Sequence, residues 1–194
     1  MIDFHNHVLP NVDDGPKSIE ESISMLECAV RQGITDVVQT VHYQHPKMDG
    51  KNINYEYLKE KTLDLQSVIN EHKLNIKIHL SAEVFYLPNL SNIINQNFFN
   101  FNKKKFMLIE FSSSIFPVNY KLEIYKIQTK QVTPIIAHPE RYRFIQNNLD
   151  ELNDWIDRDY ILQLDAGSIL GFFGKKTQKI SYEIIENYGF FDPK

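Results

Sequence analysis

Thr133-Pro134-Ile135-Ile136-Ala137-His138-Pro139-Glu140-Arg141 is an apolar run that stops on a histidine and then turns. A short, fully apolar run of this kind reads as a buried strand. The same arrangement recurs along the chain. Thr40-Val41-His42 ends the apolar stretch from Ile34 to Val41. Ile76, Ile78 and Leu80 alternate into Ser81-Ala82-Glu83. Leu108-Ile109-Glu110-Phe111 sets a carboxylate among apolar neighbours, and Tyr160 to Asp165 ends in an aspartate. Polar residues at the C-terminal ends of successive strands are where parallel α/β folds, and barrels above all, gather their chemistry.

Helical patterns separate these strands. Ser18-Ile19-Glu20-Glu21 is a capping box, followed by Ile19, Ile23, Leu26 and Val30 at helical spacing and stopped by Gly33. Further helices are expected over Asn54–Lys73, Val118–Gln131, Leu149–Arg158 and Thr177–Asn187. Met1–Phe4 reads as a first strand, Phe106–Phe111 and Thr133–Ala137 as inner ones, and Gly189-Phe190-Phe191 as a last short one. The Asn- and Phe-rich stretch Asn89–Lys105 reads as a surface excursion. Alternating strands and helices predict a parallel sheet with covering helices, open and doubly wound or closed into a barrel.

The length of 194 residues suits a single domain, 1–194, and the hydrophobic fraction of 42% is that of a globular protein. The formal net charge of -4 argues against a nucleic-acid partner. No stretch reaches the roughly 20 apolar residues of a membrane helix, and no signal-peptide pattern opens the chain, so the expected location is cytoplasmic. The single cysteine, Cys28, lies in a helical pattern and reads as a core residue. There is no Cys-x5-Arg phosphate loop, no Gly-x-Ser-x-Gly elbow and no Walker loop, so hydrolysis would be metal-borne.

The metal signal is strongest at the start. His5-Asn6-His7 points two imidazoles off one side of a strand, and Asp13-Asp14-Gly15 follows with carboxylates on a turn. Spacing alone leaves Asp13 and Asp14 as alternatives. A buried Glu83 or Glu110 is costly without a cation, whether a metal or a basic side chain. His138 and Arg141 close the set, Arg141 as a phosphate fork or as the ion-pair partner of a loop acid such as Glu140. His72 and His79 read as solvated. His45 lies close to His42 in sequence, with no role assigned.

These motifs, taken in order with Ala166-Gly167-Ser168-Ile169-Leu170-Gly171-Phe172-Phe173-Gly174-Lys175, resemble the polymerase-and-histidinol-phosphatase (PHP) superfamily. Within it, they are most similar to the manganese-dependent bacterial protein-tyrosine phosphatases of capsule and exopolysaccharide operons, the CpsB/CapC/YwqE type. The resemblance implies an α/β fold, a distorted (βα)7 TIM-like barrel of the PHP type, here C-terminally shortened. It implies up to three divalent ions, Mn2+ or alternatively Fe or Zn. His5, His7 and Glu83 would hold one. Glu83, Glu110 and His138 would hold a second, and Asp14 and His42 a third. Arg141 would bind phosphate, with His42 and Asp14 acting beside it in catalysis. The family's closing Ser-Asp-Ala-His element adds an aspartate to the first metal and a histidine to the third, and no histidine follows His138 in this chain. The implied activity is hydrolysis of phosphotyrosine on a protein, a capsule-system tyrosine kinase being the expected partner. A non-catalytic barrel that binds phosphotyrosine or a kinase tail is the alternative, and a histidinol-phosphatase-like phosphoesterase a further one.

Overall fold

The computed structural model describes residues 1–48, 54–101 and 104–188. The expected strand at Gly189-Phe190-Phe191 lies outside the described residues. The chain forms two compact units. Unit 1 takes Met1–Phe85 with Asn95–Asn100, and unit 2 takes Tyr86–Ile94 with the chain from Phe101 onward.

In unit 1 three parallel strands, β1 (Ile2–Asn6), β2 (Asp36–Tyr43) and β3 (Lys77–Phe85), lie side by side. Helix α1 (Ile19–Arg31) joins the first two and α2 (Tyr55–Glu71) the next two, as parallel pairing requires. Half of the capping box forms as the sequence suggests, while the glutamate reaches one residue further back, to the amide before the cap. Ser18 Oγ accepts the Glu21 amide at 3.2 Å, and Glu21 Oε2 reaches back to the Lys17 amide at 2.7 Å. Gly33 ends the connection with φ +82°, a left-handed conformation that glycine adopts at least cost. Along α2, Leu58, Thr62, Leu65 and Ile69 form the buried stripe.

In unit 2 the strands β5 (Lys104–Glu110), β6 (Val132–Ala137) and β7 (Ile161–Gln163) are also parallel neighbours. Ahead of them in the chain come α3 (Leu90–Ile93), in unit 2, and β4 (Asn100–Phe101), where the chain passes from unit 1 to unit 2. Helix α4 (Tyr120–Gln128) links β5 to β6. After β6 the chain runs through a 3-10 turn (Pro139–Arg141), α5 (Arg143–Asn147) and α6 (Asp150–Asp157). Then β7 leads into α7 (Ala166–Ile169) and α8 (Lys175–Tyr188). Phe111 packs edge-on against Tyr120 and Tyr142 and also meets Trp155. The Trp155 indole donates to Tyr120 Oη at 2.7 Å, so this aromatic core leaves no buried indole N–H unpaired.

Several expectations change. Asn89–Lys105 is no surface excursion, because its apolar residues Leu90, Ile93, Ile94, Phe98 and Phe99 are buried. Their asparagine neighbours disguised a core segment. Cys28 is exposed, on the solvent side of α1, with Sγ 3.3 Å from Gln32 Nε2. The strand expected to reach Asp165 stops at Gln163, because Asp165 Oδ1 accepts the Gly167 amide at 2.6 Å and starts a helix instead. His79 is not simply solvated, since its Nε2 lies 2.8 Å from Asp36 Oδ1.

Candidate metal centre

Strands β2 and β3 run in unshifted register, which sets His42 directly opposite Glu83. Both side chains therefore stand at the same end of the same sheet edge. Glu83 is 1% exposed, and its Oε2 lies 3.1 Å from His5 Nε2, 3.3 Å from His7 Nε2 and 3.3 Å from His42 Nδ1. One buried carboxylate oxygen thus faces three imidazoles, and His5 and His7 present their Nε2 atoms 3.4 Å apart.

The segment carrying His7 is anchored where the β1 ladder ends. Buried Gln39 on β2 accepts the Leu9 amide at 2.9 Å and the Val8 amide with the same oxygen. Thr40 Oγ1 donates to the Asn6 carbonyl at 3.2 Å. The Asp13–Gly15 turn then folds back onto this segment. A side-chain carbon at Gly15 would stand 2.6 Å from the His7 carbonyl oxygen, so only glycine allows the approach.

That turn separates the two aspartates the sequence left open. Asp13 is 2% exposed. Its Oδ2 lies 3.0 Å from His7 Nδ1 and accepts the His42 amide at 3.3 Å. It grips the far side of the imidazole whose Nε2 faces Glu83, the arrangement that fixes the tautomer of a ligating histidine. Asp14 is 66% exposed, with Oδ2 3.4 Å from His42 Nε2 and Oδ1 3.5 Å from His7 Nδ1.

The donor set favours positive charge. Burial opposes protonation of His7, but the Asp13 and Glu83 carboxylates outweigh it and push its pKa up to about 10. Burial likewise opposes charge on His42, and Asp14 and Glu83 raise it in the same way. The His42 hydrogen bond, against a smaller opposing effect of burial, brings Asp14 down to about 2. Imidazoles and carboxylates at these spacings suit a divalent ion of the Mn, Fe or Zn type. Within unit 1, His5, His7 and Glu83 form one group able to hold an ion, and His7, Asp14 and His42 another. His45 lies beside His42 with the rings tilted by 44° and their centroids 4.9 Å apart, and it is edge-on to Phe85.

Unit 2 carries the remaining candidates. Glu110 ends β5, and His138 follows β6 in the left-handed region at φ 34°. A non-glycine residue held there stores strain of the kind found at functional sites. The His138 amide donates to the Gln163 carbonyl at 2.7 Å, and its Nε2 stands 3.9 Å from Glu110 Oε1. Tyr142, which sequence reasoning passed over, ties the two strand ends together. Its hydroxyl accepts the Phe111 amide at 2.9 Å and donates to the Ala137 carbonyl at 2.6 Å. Arg141 pairs with Asp165, Nη1 to Oδ2 at 3.4 Å, and not with Glu140. Glu140 is buried, accepts the Asp165 amide at 3.1 Å, and has its pKa raised by burial.

A family model described as capsular polysaccharide synthesis, CpsB/CapC, matches residues 1–189. The chain belongs to the CpsB/CapC family. It is 36% identical over 188 residues to the putative tyrosine-protein phosphatase CapC of Staphylococcus aureus, covering 96% of this chain and 72% of that one. It is 31% identical over 187 residues to the tyrosine-protein phosphatase YwqE of Bacillus subtilis, with the same coverages of 96% and 72%. A solved structure matches with a TM-score of 0.84 at 29% identity, over 96% of this chain and 74% of that one. It comes from a study of YwqE and Streptococcus pneumoniae CpsB, described as unique metal-dependent tyrosine phosphatases. This CpsB/CapC member therefore shares its α/β fold with metal-dependent tyrosine phosphatases. Among its described residues no helix is long and apolar enough to cross a membrane.

Proposed function

We propose that this protein is a metal-dependent protein-tyrosine phosphatase, and that its parallel strands belong to a distorted (βα)7 barrel of the PHP type. The observation that carries the reading is the Glu83 oxygen set among His5, His7 and His42 in a chain whose relatives are named tyrosine phosphatases. In this reading His5, His7 and Glu83 hold one divalent ion, and Asp14 and His42 help hold another, with Mn2+ the expected metal. Asp13 orients His7 and is not itself a ligand. Glu110 and His138 serve as further ligands.

Bound ions supply a water acidified toward neutral pH and neutralise charge on the phosphoryl oxygens. Water adds at phosphorus, the bond to the phenolic oxygen breaks, and tyrosine leaves with a proton. The phenol, with a pKa of about 10, is a fair leaving group and makes a modest demand on a general acid. Arg141 binds phosphoryl oxygens with its guanidinium fork, and His42 and Asp14 act beside the reacting group. The expected substrate is phosphotyrosine on a protein of the capsule or exopolysaccharide system, a tyrosine kinase in particular.

The test is hydrolysis of a phosphotyrosine peptide by protein stripped with chelator and then reloaded with Mn2+. Activity lost on stripping and restored by Mn2+, with His5→Ala and His7→Ala variants binding less metal, supports the reading. Protein that holds Mn2+ yet leaves the peptide intact overturns it.

A further inference from the structure

Phe172 and Phe173 belong to the motif after β7 that the metal chemistry leaves unused. Phe172 is 79% exposed and Phe173 is 46% exposed. Two adjacent phenylalanines offered to water forgo the burial their rings normally gain. Their position explains the choice. The Phe173 ring centroid lies 4.2 Å from Arg141 Cζ, a guanidinium-on-ring contact. Asp165 holds the same guanidinium from its Nη1 side at 3.4 Å. Phe172 sits at the same turn. A side-chain carbon at Gly167 would stand 3.0 Å from Phe173 Cε2 and 3.3 Å from Phe172 Cδ2, so both rings close on one glycine. The Gly167 amide is in turn bound to Asp165 Oδ1. The turn after β7 thus sets exposed aromatic surface beside Arg141, a cation from the 3-10 turn after β6 that suits a phosphoryl group.

Resting on the reading of Arg141 as the phosphate-binding residue, we propose that Phe172 and Phe173 select aryl over alkyl phosphates. Phe173 is a positioning residue that backs the Arg141 guanidinium. Phe172 offers its ring to the aromatic ring of the phosphorylated tyrosine. A phosphoserine or phosphothreonine side chain has no ring to meet it. Offset or edge-on ring pairs add affinity beyond area burial, enough for roughly a three- to tenfold preference.

The experiment is calorimetric titration of the Mn2+-loaded protein with phenylphosphonate and with methylphosphonate, neither of which has a P–O–C bond to cleave. The wild type is expected to bind phenylphosphonate several-fold more tightly. Phe172→Ala should erase that preference and leave methylphosphonate affinity unchanged, because the exposed ring contributes little to folding. Phe173→Ala should weaken both ligands, with Phe173→Tyr restoring them. A wild type without aryl preference, or a Phe172→Ala variant that keeps it while Arg141→Ala abolishes binding, overturns the aryl role and leaves the phosphatase reading standing. Arg141→Ala binding both ligands like the wild type overturns the role of the arginine, and this inference with it.

Discussion

Gly15→Ala adds one methyl group where the Asp13–Gly15 turn meets the segment just beyond β1 that carries His7. The new carbon would stand 2.6 Å from the His7 carbonyl oxygen, whereas real side-chain carbons essentially never come within 3.0 Å of a neighbour. The obstacle is backbone, not the loose end of a side chain, so the turn or the His7 segment must move. Overpacking of this kind costs about 1–3 kcal/mol. For a chain of this size that is a fall in melting temperature of roughly 2–12 °C. The larger consequence falls on the metal. Asp13 is bonded to His7 Nδ1 and to the His42 amide, and Asp14 lies near His7 and His42. Displacing the turn loosens all these contacts. Loss of such an orienting carboxylate typically lowers metal affinity about 10- to 100-fold. Thermal melts with and without Mn2+, and competition against a chromophoric chelator, measure the two effects. Gly33→Ala is the control, with nothing within 4 Å of its added carbon and only the cost of φ +82°. It should lose stability and keep metal affinity. A Gly15→Ala protein with wild-type melting temperature and metal affinity would refute the packing argument.

Two further outcomes are expected. Asp13→Asn keeps the shape of the contact but removes the charge behind His7, so Mn2+ affinity should fall about 10-fold or more, measured by the same chelator competition, with the fold intact by circular dichroism. Glu123 is buried on α4, and burial opposes its charge, but Lys126 Nζ at 2.6 Å and Ser91 outweigh burial and lower its pKa. A lowered folded pKa means stability fully present above the unfolded value of about 4.3 and lost as pH falls through the folded one. Denaturant melts from pH 6 to pH 3 should therefore decline less steeply for Glu123→Gln than for the wild type, and equal slopes would rule this out.

The parallel architecture was legible because inner strands are apolar on both faces and end abruptly on polar residues, as at Ala137-His138 and Ile109-Glu110. The candidate metal-holding residues of unit 1 were signalled by the His5-Asn6-His7 pair and by the polar residues near the ends of β2 and β3, and the glycine of Asp13-Asp14-Gly15 was a turn signal before its steric purpose was visible. Other features depend on contacts far apart in sequence. Asp13 and Asp14 look alike on the page and differ only in which is turned inward by the fold. Gln39 stands in an apolar strand and Tyr142 between two arginines, with nothing local to mark either, since Gln39 accepts from the Leu9 amide and Tyr142 from the Phe111 amide, each about 30 residues away. The buried Phe98-Phe99 pair was masked by surrounding asparagines, and Cys28 sits on the wrong side of a helix whose apolar stripe it only adjoins.

The unshifted pairing of His42 with Glu83 has a kinetic side. Those two residues sit on adjacent strands about 4.8 Å apart, and neither backbone position can shift without breaking the ladder. Asp14, by contrast, is exposed and rides on a turn. On the proposed reading, an ion held between His42 and Glu83 on one side and the exposed Asp14 on the other would leave most easily past Asp14. Its residence time would then follow the Asp13–Gly15 turn, so a substitution there is expected to change how fast metal exchanges as well as how much is bound.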